Sequence, residues 1–367
     1  MTEETGHIDM SDAAFKTATV SLSPEQVAEL LAVPAPPPPQ PELNLDSLGI
    51  EGPGRISDKE RQARIRRAFK FDPPFRSAVE LKDLWTGETL CIVGGGPSIE
   101  QTLPELIDLI AGGAKVMAVN MTHDWLIERG VIPTFGIVCD PAEWVVSYQT
   151  PTPGVKYLIA SQCCDAVFEK FRDVPEVFLF HAEGINEDRK IIYDAAVEAR
   201  LPTFSVVGGS TTSHRGQDIA ALLLGFAELR FFGLDSSAAG NRMHPYDKPH
   251  LDPVNIPFKL LDPSNGRELH TIYWTNKPMF HQLRQFEIVL AERREGIRAG
   301  RYPKIRLAFH GSGLLPDWAA LRGLHIDPTR AAYLRSVAEP PVLEGTAVEV
   351  SAPSTPTIHF TTPEPLV

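Results

Sequence analysis

The residues best suited to chemistry in this sequence are small or polar, and they follow short apolar runs one after another along the chain. Each apolar run of about five residues predicts a buried strand. In a sheet of parallel strands, ligands bind outside the carboxyl ends of the strands. The residues at those ends therefore define the candidate site. They are residues 94–98, Asn120, Asp140, Ser161 and Gln162, His181, residues 208–212, Asp235 and residues 310–313.

The segment CIVGGGPSI, residues 91–99, joins the end of a predicted strand to a glycine turn and the start of a helix. Glycines let backbone N–H groups approach a phosphate, and the N-terminus of a helix adds positive potential there. A plain tight turn is the alternative interpretation. The pattern favours a nucleotide-binding loop formed by Gly94, Gly95, Gly96, Pro97 and Ser98.

A second double glycine, Gly208 and Gly209, is followed by Ser210 and Thr211, which could cap the next helix. We expect Gly209, Ser210 and Thr211 to contact the nucleotide as well, although an ordinary capped turn would show the same residues.

Two familiar phosphate motifs do not match. The dinucleotide fingerprint requires glycine where the chain has Ile99 and an acidic residue where it has Asn120, which disfavours NAD. The Walker A pattern is absent from the sequence. We therefore expect a nucleotide that is held in another way, with Asn120 bonded to its base or sugar.

Two carboxylates at strand ends, Asp140 and Asp235, suit Mg²⁺, which binds one or two carboxylates together with phosphate oxygens. A general base or a loop-capping role is the alternative for each. The polar segment after Asp235, SSAAGNRMHPYDKPH, contains His244 and could cover a substrate as a lid.

The elements that position these residues form a regular alternation. Apolar runs alternate with amphipathic stretches, which predicts a doubly wound α/β domain, with a mostly parallel sheet and helices on both faces. The eight runs are residues 90–93, 115–119, 134–139, 155–160, 176–180, 203–207, 229–233 and 305–309.

Four segments are predicted along the chain. Residues 1–50 form an acidic, proline-rich tail, residues 51–88 a basic helix and lead-in, residues 89–325 the main domain, and residues 326–367 a Pro/Ser/Thr-rich tail. The basic helix, SDKERQARIRRAFK, could offer a phosphate-binding face, but a helix lying on the body is favoured.

The net charge of -12 over 367 residues belongs mostly to the tails. Residues 1–50 carry eight acidic residues and one lysine, so nucleic acid is disfavoured as a partner. Within this tail, residues 23–31 predict a short docking helix and residues 34–41 a polyproline spacer, which suggests docking to a protein partner or to the protein's own body. A mobile tail is the alternative interpretation. No apolar stretch is long enough to span a membrane, no signal peptide is recognisable, and the four cysteines lack C-x-x-C spacing. We therefore expect a cytoplasmic protein with no membrane contact.

Several of these segments together resemble a known family. IVGGGPSIEQTL, VMAVNMTHDWLIERGVIPTFGIVCDP and VVGGSTTSHRGQDIAALLLGFAELRFFGLDSS, followed by MHPY, look like the 6-hydroxymethylpterin diphosphokinase MptE-like domain. More distantly, they resemble bacterial sialyltransferases that share a G-x-G-P-S loop. The resemblance covers about residues 89–313 and neither tail.

The resemblance implies a nucleotide-dependent transferase. In the diphosphokinase, ATP gives a diphosphate to a pterin hydroxymethyl group with Mg²⁺, whereas the sialyltransferases use a CMP-sugar. Carried over to this chain, the GGGPS loop and Asn120 would hold the nucleotide. Asp140 and Asp235 would serve the metal or the acceptor, and His244 would be the acid or base.

The sequence therefore supports a Mg²⁺-dependent, diphosphokinase-like transferase that binds a nucleotide and a small acceptor. A glycosyltransferase that uses a nucleotide sugar is one alternative. A non-enzymatic, phage-encoded interaction or assembly protein on the same fold is the other.

Overall fold

The computed structural model describes residues 56–183, 186–207, 211–246, 254, 256–300 and 302–337. The predicted docking helix, the polyproline spacer and residues 338–367 of the predicted C-terminal tail lie outside these residues, as do Gly208, Gly209, Ser210 and residues 247–250. The first part of that tail, residues 326–337, is described and contains a helix, Arg330–Ser336.

A nine-stranded sheet forms the centre of the described chain, and all its strand pairs are parallel. The strands are β1 (Arg76–Ser77), β2 (Thr89–Val93), β3 (Lys115–Val119), β4 (Phe135–Val138), β5 (Lys156–Ala160), β6 (Val177–Glu183), β7 (Ser205–Val207), β8 (Glu228–Phe232) and β11 (Arg306–Phe309). Their order across the sheet is β1-β6-β5-β4-β3-β2-β8-β11. The short β1 pairs with β6 near its start, and β7 pairs with the last three residues of β6 on the same side.

The eight predicted apolar runs correspond to eight of these strands, and the doubly wound class is confirmed. The sequence patterns missed β1, which has two residues, and a separate antiparallel pair, β9 (Ile256–Phe258) and β10 (Tyr273–Thr275). These elements are too short to show a periodicity of their own.

Nine α-helices are described around the sheet, and short 3₁₀ turns cover Ala78–Leu81 and Glu143–Ser147. The helices are α1 (Asp58–Ala68), α2 (Ile99–Ala111), α3 (Thr122–Ile127), α4 (Asp165–Lys170), α5 (Asn186–Ala199), α6 (Thr212–Ile219), α7 (Lys277–Arg298), α8 (Leu314–Ala320) and α9 (Arg330–Ser336). None of the helices in this part of the chain has the length and apolar character needed to cross a bilayer.

The strand order positions the candidate site. From β2 the chain builds the sheet in one direction as far as β7, and it then returns to place β8 on the other side of β2. The carboxyl ends of β2 and β8 therefore lie side by side at the point where the winding reverses. Ligands bind in the crevice at such a switch point.

The basic helix α1 packs on the body, as the favoured interpretation expects. Ile65 and Phe69 join a buried cluster with Ile192 of α5. Two of its arginines are bonded to carbonyls of the body, Arg64 to Pro141 and Arg67 to Cys163. These guanidinium groups serve the contact between helix and body, which accounts for the basic face without a phosphate.

Candidate functional site

The glycine loop after β2 lies directly against the loop after β8. The N–H of Gly94 donates to the Phe232 carbonyl at 2.8 Å, and that of Gly96 to the Gly233 carbonyl at 2.7 Å. A Cβ on Gly96 would lie 2.5 Å from Cγ of Asp235. Close packing between two protein loops therefore accounts for Gly94 and Gly96, and uses N–H groups that were expected to face a phosphate.

Asp235 joins these loops through its carboxylate. One oxygen accepts the Ser98 N–H at 2.7 Å and the other accepts the Ser98 hydroxyl at 2.5 Å. The side chain is buried, and burial raises the pKa of Asp235 to about 7 against the lowering effect of the Ser98 hydrogen bonds. Gly313, with φ of 127°, places its Cα so close that a Cβ would lie 2.8 Å from that of Asp235. Three loops, after β2, β8 and β11, thus meet at one buried carboxylate.

The start of the predicted lid lies over Gly95. Nδ1 of His244 is 2.6 Å from the Gly95 carbonyl oxygen. A carbonyl only accepts, so Nδ1 carries a proton, and in the neutral form of the ring Nε2 is then the acceptor nitrogen. The ring stacks on Tyr246, whose hydroxyl is 3.2 Å from Oγ1 of Thr122. The predicted acid/base residue and the glycine loop are therefore in direct contact.

Asn120 lies one residue beyond β3 in the left-handed region, with φ of 51°, where asparagine is tolerated better than most residues. Its side-chain Oδ1 is buried and has no hydrogen-bond partner among the described residues. A buried acceptor of this kind suits a ligand donor, as expected for a nucleotide contact.

The predicted metal carboxylates differ in what surrounds them. Oδ1 of Asp140 accepts the Ala142 N–H at 3.0 Å and closes a turn after β4. Both oxygens of Asp235 are bonded to Ser98 in a buried position, which suits a connection between loops better than a metal ligand. No group of three or more His, Cys, Asp or Glu that could hold a metal occurs within the described ranges. Magnesium binding at Asp140 stays a prediction.

Further buried polar atoms without partners gather near the carboxyl ends of the strands. Buried polar groups are normally hydrogen-bonded, and each exception calls for a ligand, a water or another explanation. Within the described part of the chain, those of this region include Asn120 Oδ1, Ser161 Oγ, Gln162 Oε1, His181 Nδ1, His214 Nε2, His310 Nε2 and both amide atoms of Gln217.

Strand register places two of these residues side by side. Ala160 pairs with Phe180, so Ser161 and His181 are neighbours one step further along β5 and β6. Strands lie about 4.8 Å apart, and residues in register share a face of the sheet. Phe69 stacks on the His181 ring at 4.7 Å, and burial lowers the pKa of His181 to about 3, so the ring is neutral.

Helix α6 covers the opposite face. A Cβ on Gly216 would contact Met117 and Ile137, which places α6 over β3 and β4. Ile137 pairs with Leu158, so Leu158 lies on the face that α6 covers. Side chains alternate between the two faces along a strand, and Ser161 is three residues after Leu158, so Ser161 lies on the opposite face together with Tyr157. The unpartnered atoms of α6 and those of β5 and β6 therefore lie on the two sides of the sheet edge.

Of the sequence-predicted residues, the structure brings together Gly94–Gly95–Gly96, Ser98, Asp235 and His244. Asn120 and Asp140 follow the next strands along the sheet, and Thr211 precedes α6. Sequence reasoning missed the parts played by Thr122, Tyr246 and Gly313. The MHPY and HGSG segments were visible in the sequence, but their contacts depend on strand order.

One family of known proteins matches part of the chain. Residues 68–241 match the family described as 6-hydroxymethylpterin diphosphokinase MptE-like. This segment of the chain is similar to that family. The resemblance predicted from the GGGPS loop and the segments after it is thereby confirmed.

Among solved structures, the chain is similar to one titled "Structure of MAf glycosyltransferase from Magnetospirillum magneticum AMB-1". The identity is 16%, the TM-score is 0.48, and the match covers 73% of this chain but 38% of the glycosyltransferase chain. No curated protein sequence matches the chain.

Proposed function

We propose that the chain is a nucleotide-binding transferase of the diphosphokinase type, which moves a diphosphoryl group from ATP to the hydroxyl of a small hydroxymethyl acceptor. The observation that carries the proposal is the set of buried, unpartnered polar atoms near the carboxyl ends of the strands. Among them, Asn120 directly follows β3, the strand next to β2 and its glycine loop. The MptE-like match of residues 68–241 supports a transferase.

The proposed reaction has one bond-forming and one bond-breaking event. The acceptor hydroxyl oxygen bonds to the β-phosphorus while the bond from that phosphorus to the α,β-bridging oxygen breaks. AMP leaves with the electron pair, and the hydroxyl proton passes to a base. His244 suits that base, because its Nδ1–H is held by the Gly95 carbonyl and its Nε2 is the acceptor.

The protein's main contribution would be to orient donor and acceptor, as in other phosphoryl transfers. The tie between Ser98 and Asp235 fixes the glycine loop, and the ring of His244 is fixed to the same loop. Magnesium, if held at Asp140 as predicted, would neutralise phosphate charge.

Nucleotide binding is tested by thermal unfolding with ATP, GTP, CTP, CMP and a CMP-sugar, each with and without Mg²⁺. A ligand at a hundred times its Kd stabilises the protein by about 2.7 kcal/mol. We expect ATP to stabilise the wild type and Asn120→Leu to respond less. The variant Gln101→Leu, on the exposed face of α2, is the matched control.

Transfer is tested by release of AMP from ATP in the presence of hydroxymethyl acceptors, with His244→Asn as the inactive variant. Stabilisation by the CMP-sugar alone would replace diphosphoryl transfer with glycosyl transfer. A chain that none of the nucleotides stabilises would instead support the interaction or assembly role.

A further inference from the structure

A hydrogen-bonded network joins the loop after β8 to the start of α6. Gln282, on α7, donates from Nε2 to Ser213 Oγ at 2.8 Å and to Thr211 Oγ1 at 3.3 Å. Its Oε1 accepts the hydroxyl of Ser236 at 2.8 Å. Ser236 directly follows Asp235, so one side chain connects two loops that the sequence assigns to the site.

The network ends on His214. Nδ1 of the ring is 2.9 Å from Oγ1 of Thr211, and the ring packs against Phe286 with centroids 5.6 Å apart. His214 is 3% exposed, and its Nε2 has no hydrogen-bond partner among the described residues. One ring nitrogen is therefore held in place while the other is buried and unsatisfied.

We infer that His214 is a ligand-binding residue of the proposed nucleotide site, whose Nε2 bonds an uncharged hydroxyl or amide group of the ligand, and that Gln282 is the positioning residue for its ring. The inference rests on the proposed function. It adds a residue that the sequence did not predict to bind and a second, Gln282, that lies outside the MptE-like segment.

The chemistry around the ring favours an uncharged partner. Burial, together with the neighbouring Arg215, lowers the pKa of His214 to about 4, so the ring is neutral. Arg215 itself donates to the Glu183 and Val206 carbonyls. Because Nδ1 is already bonded to Thr211, the neutral ring offers a ligand one directional hydrogen bond, at Nε2, and no positive charge to attract a phosphate. A sugar hydroxyl and the amide edge of a base are the two sources of such a group.

The experiment measures the Kd of ATP by calorimetry for wild type, His214→Phe, His214→Gln and Gln282→Leu. We expect His214→Phe and Gln282→Leu to bind ATP about tenfold more weakly, the effect of one buried hydrogen bond. His214→Gln should recover most of the affinity, because an amide can replace the bond at Nε2. Gln101→Leu is again the exposed control and should match the wild type.

Nucleotide analogues identify the bonded group. If His214 contacts a sugar hydroxyl, 2′-deoxy-ATP or 3′-deoxy-ATP will bind wild type and His214→Phe equally well. If it contacts the base, the preference for ATP over GTP will shrink in the variant instead. Each outcome supports the inference and names the source.

Equal ATP affinity of wild type, His214→Phe and Gln282→Leu would overturn the inference and leave the proposed function intact. A wild type that binds no nucleotide would overturn both. Should Gln282→Leu fail to fold, Gln282→Glu replaces it. This variant keeps an oxygen that accepts from Ser236 and loses the N–H groups that donate to Thr211 and Ser213. Unchanged ATP affinity in Gln282→Glu would show that Gln282 does not position the ring of His214.

Discussion

At the residue scale, glycines in the loop after β2 are explained by what lies against them. Gly96 leaves room for the Asp235 carboxyl, and Gly95 leaves room for the ring of Tyr246. Glycine is therefore required at these positions because neighbouring side chains leave no room for a Cβ, and not only because glycine allows unusual backbone conformations.

Replacing Gly96 by alanine should destabilise the fold, because its Cβ would lie 2.5 Å from Asp235 Cγ and the buried carboxyl has little room to move. We expect a loss of about 1–3 kcal/mol in the free energy of unfolding, measured in urea. Gly112→Ala, at the end of α2 where φ is negative, should cost less than about 1 kcal/mol. Equal losses in both variants would contradict the packing argument.

Asp235 should make stability depend on pH. Burial raises the pKa of Asp235 to about 7 in the folded state, whereas an unfolded aspartate titrates near 3.9. The folded state therefore binds the proton more tightly between these values, and stability should fall as pH rises from about 4 to about 7.

The size of this effect should be about 1–3 kcal/mol, obtained from urea unfolding at pH 5 and pH 8. Asp235→Asn does not titrate, so the decline should be smaller in that variant. An identical decline in both proteins would show that Asp235 is ionised in the fold throughout this range.

At the element scale, α1 connects loops at the carboxyl end of the sheet. Arg61, Arg64 and Arg67 recur every third residue and so share one side of the helix. They donate to Asp188 of α5 at 2.8 Å, to the Pro141 carbonyl after β4 at 2.6 Å and to the Cys163 carbonyl after β5 at 2.8 Å. The helix therefore fixes the relative positions of several loops near the site.

Arg64→Ala should loosen this contact, because it leaves the Pro141 carbonyl without its donor and removes the bonds to Glu60 and Glu143. Both glutamates are substantially exposed, so most of the expected loss of about 1–3 kcal/mol comes from the carbonyl and the lost packing. The exposed Arg66→Ala is the control and should stay within about 0.5 kcal/mol. Similar unfolding curves for both variants would refute the role of the arginine side of α1 in holding the helix on the body.

At the scale of the whole molecule, the site combines loops from both halves of the sheet. The glycine loop and Asn120 follow β2 and β3, on one side of the switch point. Asp235 follows β8 on the other side, and α6 belongs to the connection that leads from β7 to β8. All the residues named in the site lie between residues 94 and 313.

A chain that lacks residues 1–55 should therefore bind ATP within about twofold of the full chain, because every site residue is retained. Calorimetry on the two proteins checks this. A large loss of affinity would assign the acidic tail to the site itself, whereas unchanged affinity leaves it free for the predicted protein partner.

The sequence alone determined eight strands of the central sheet, its doubly wound class and the residues at the ends of those strands. Burial on both faces makes each central strand an uninterrupted apolar run, and the residue after the run marks its carboxyl end. The GGGPS loop, Asn120 and Asp235 were predicted in this way, whereas His244 was predicted from the polar segment after Asp235 and from the MptE-like resemblance.

Only the tertiary structure decided which strand ends meet. The bond between Ser98 and Asp235 joins residues 137 positions apart, and Gln282 reaches Thr211 across 71 positions. Local periodicity reports whether a residue is buried, but strand order and register decide what it is buried against. For the same reason the sequence favoured a phosphate for Gly96, where the fold places a buried carboxyl.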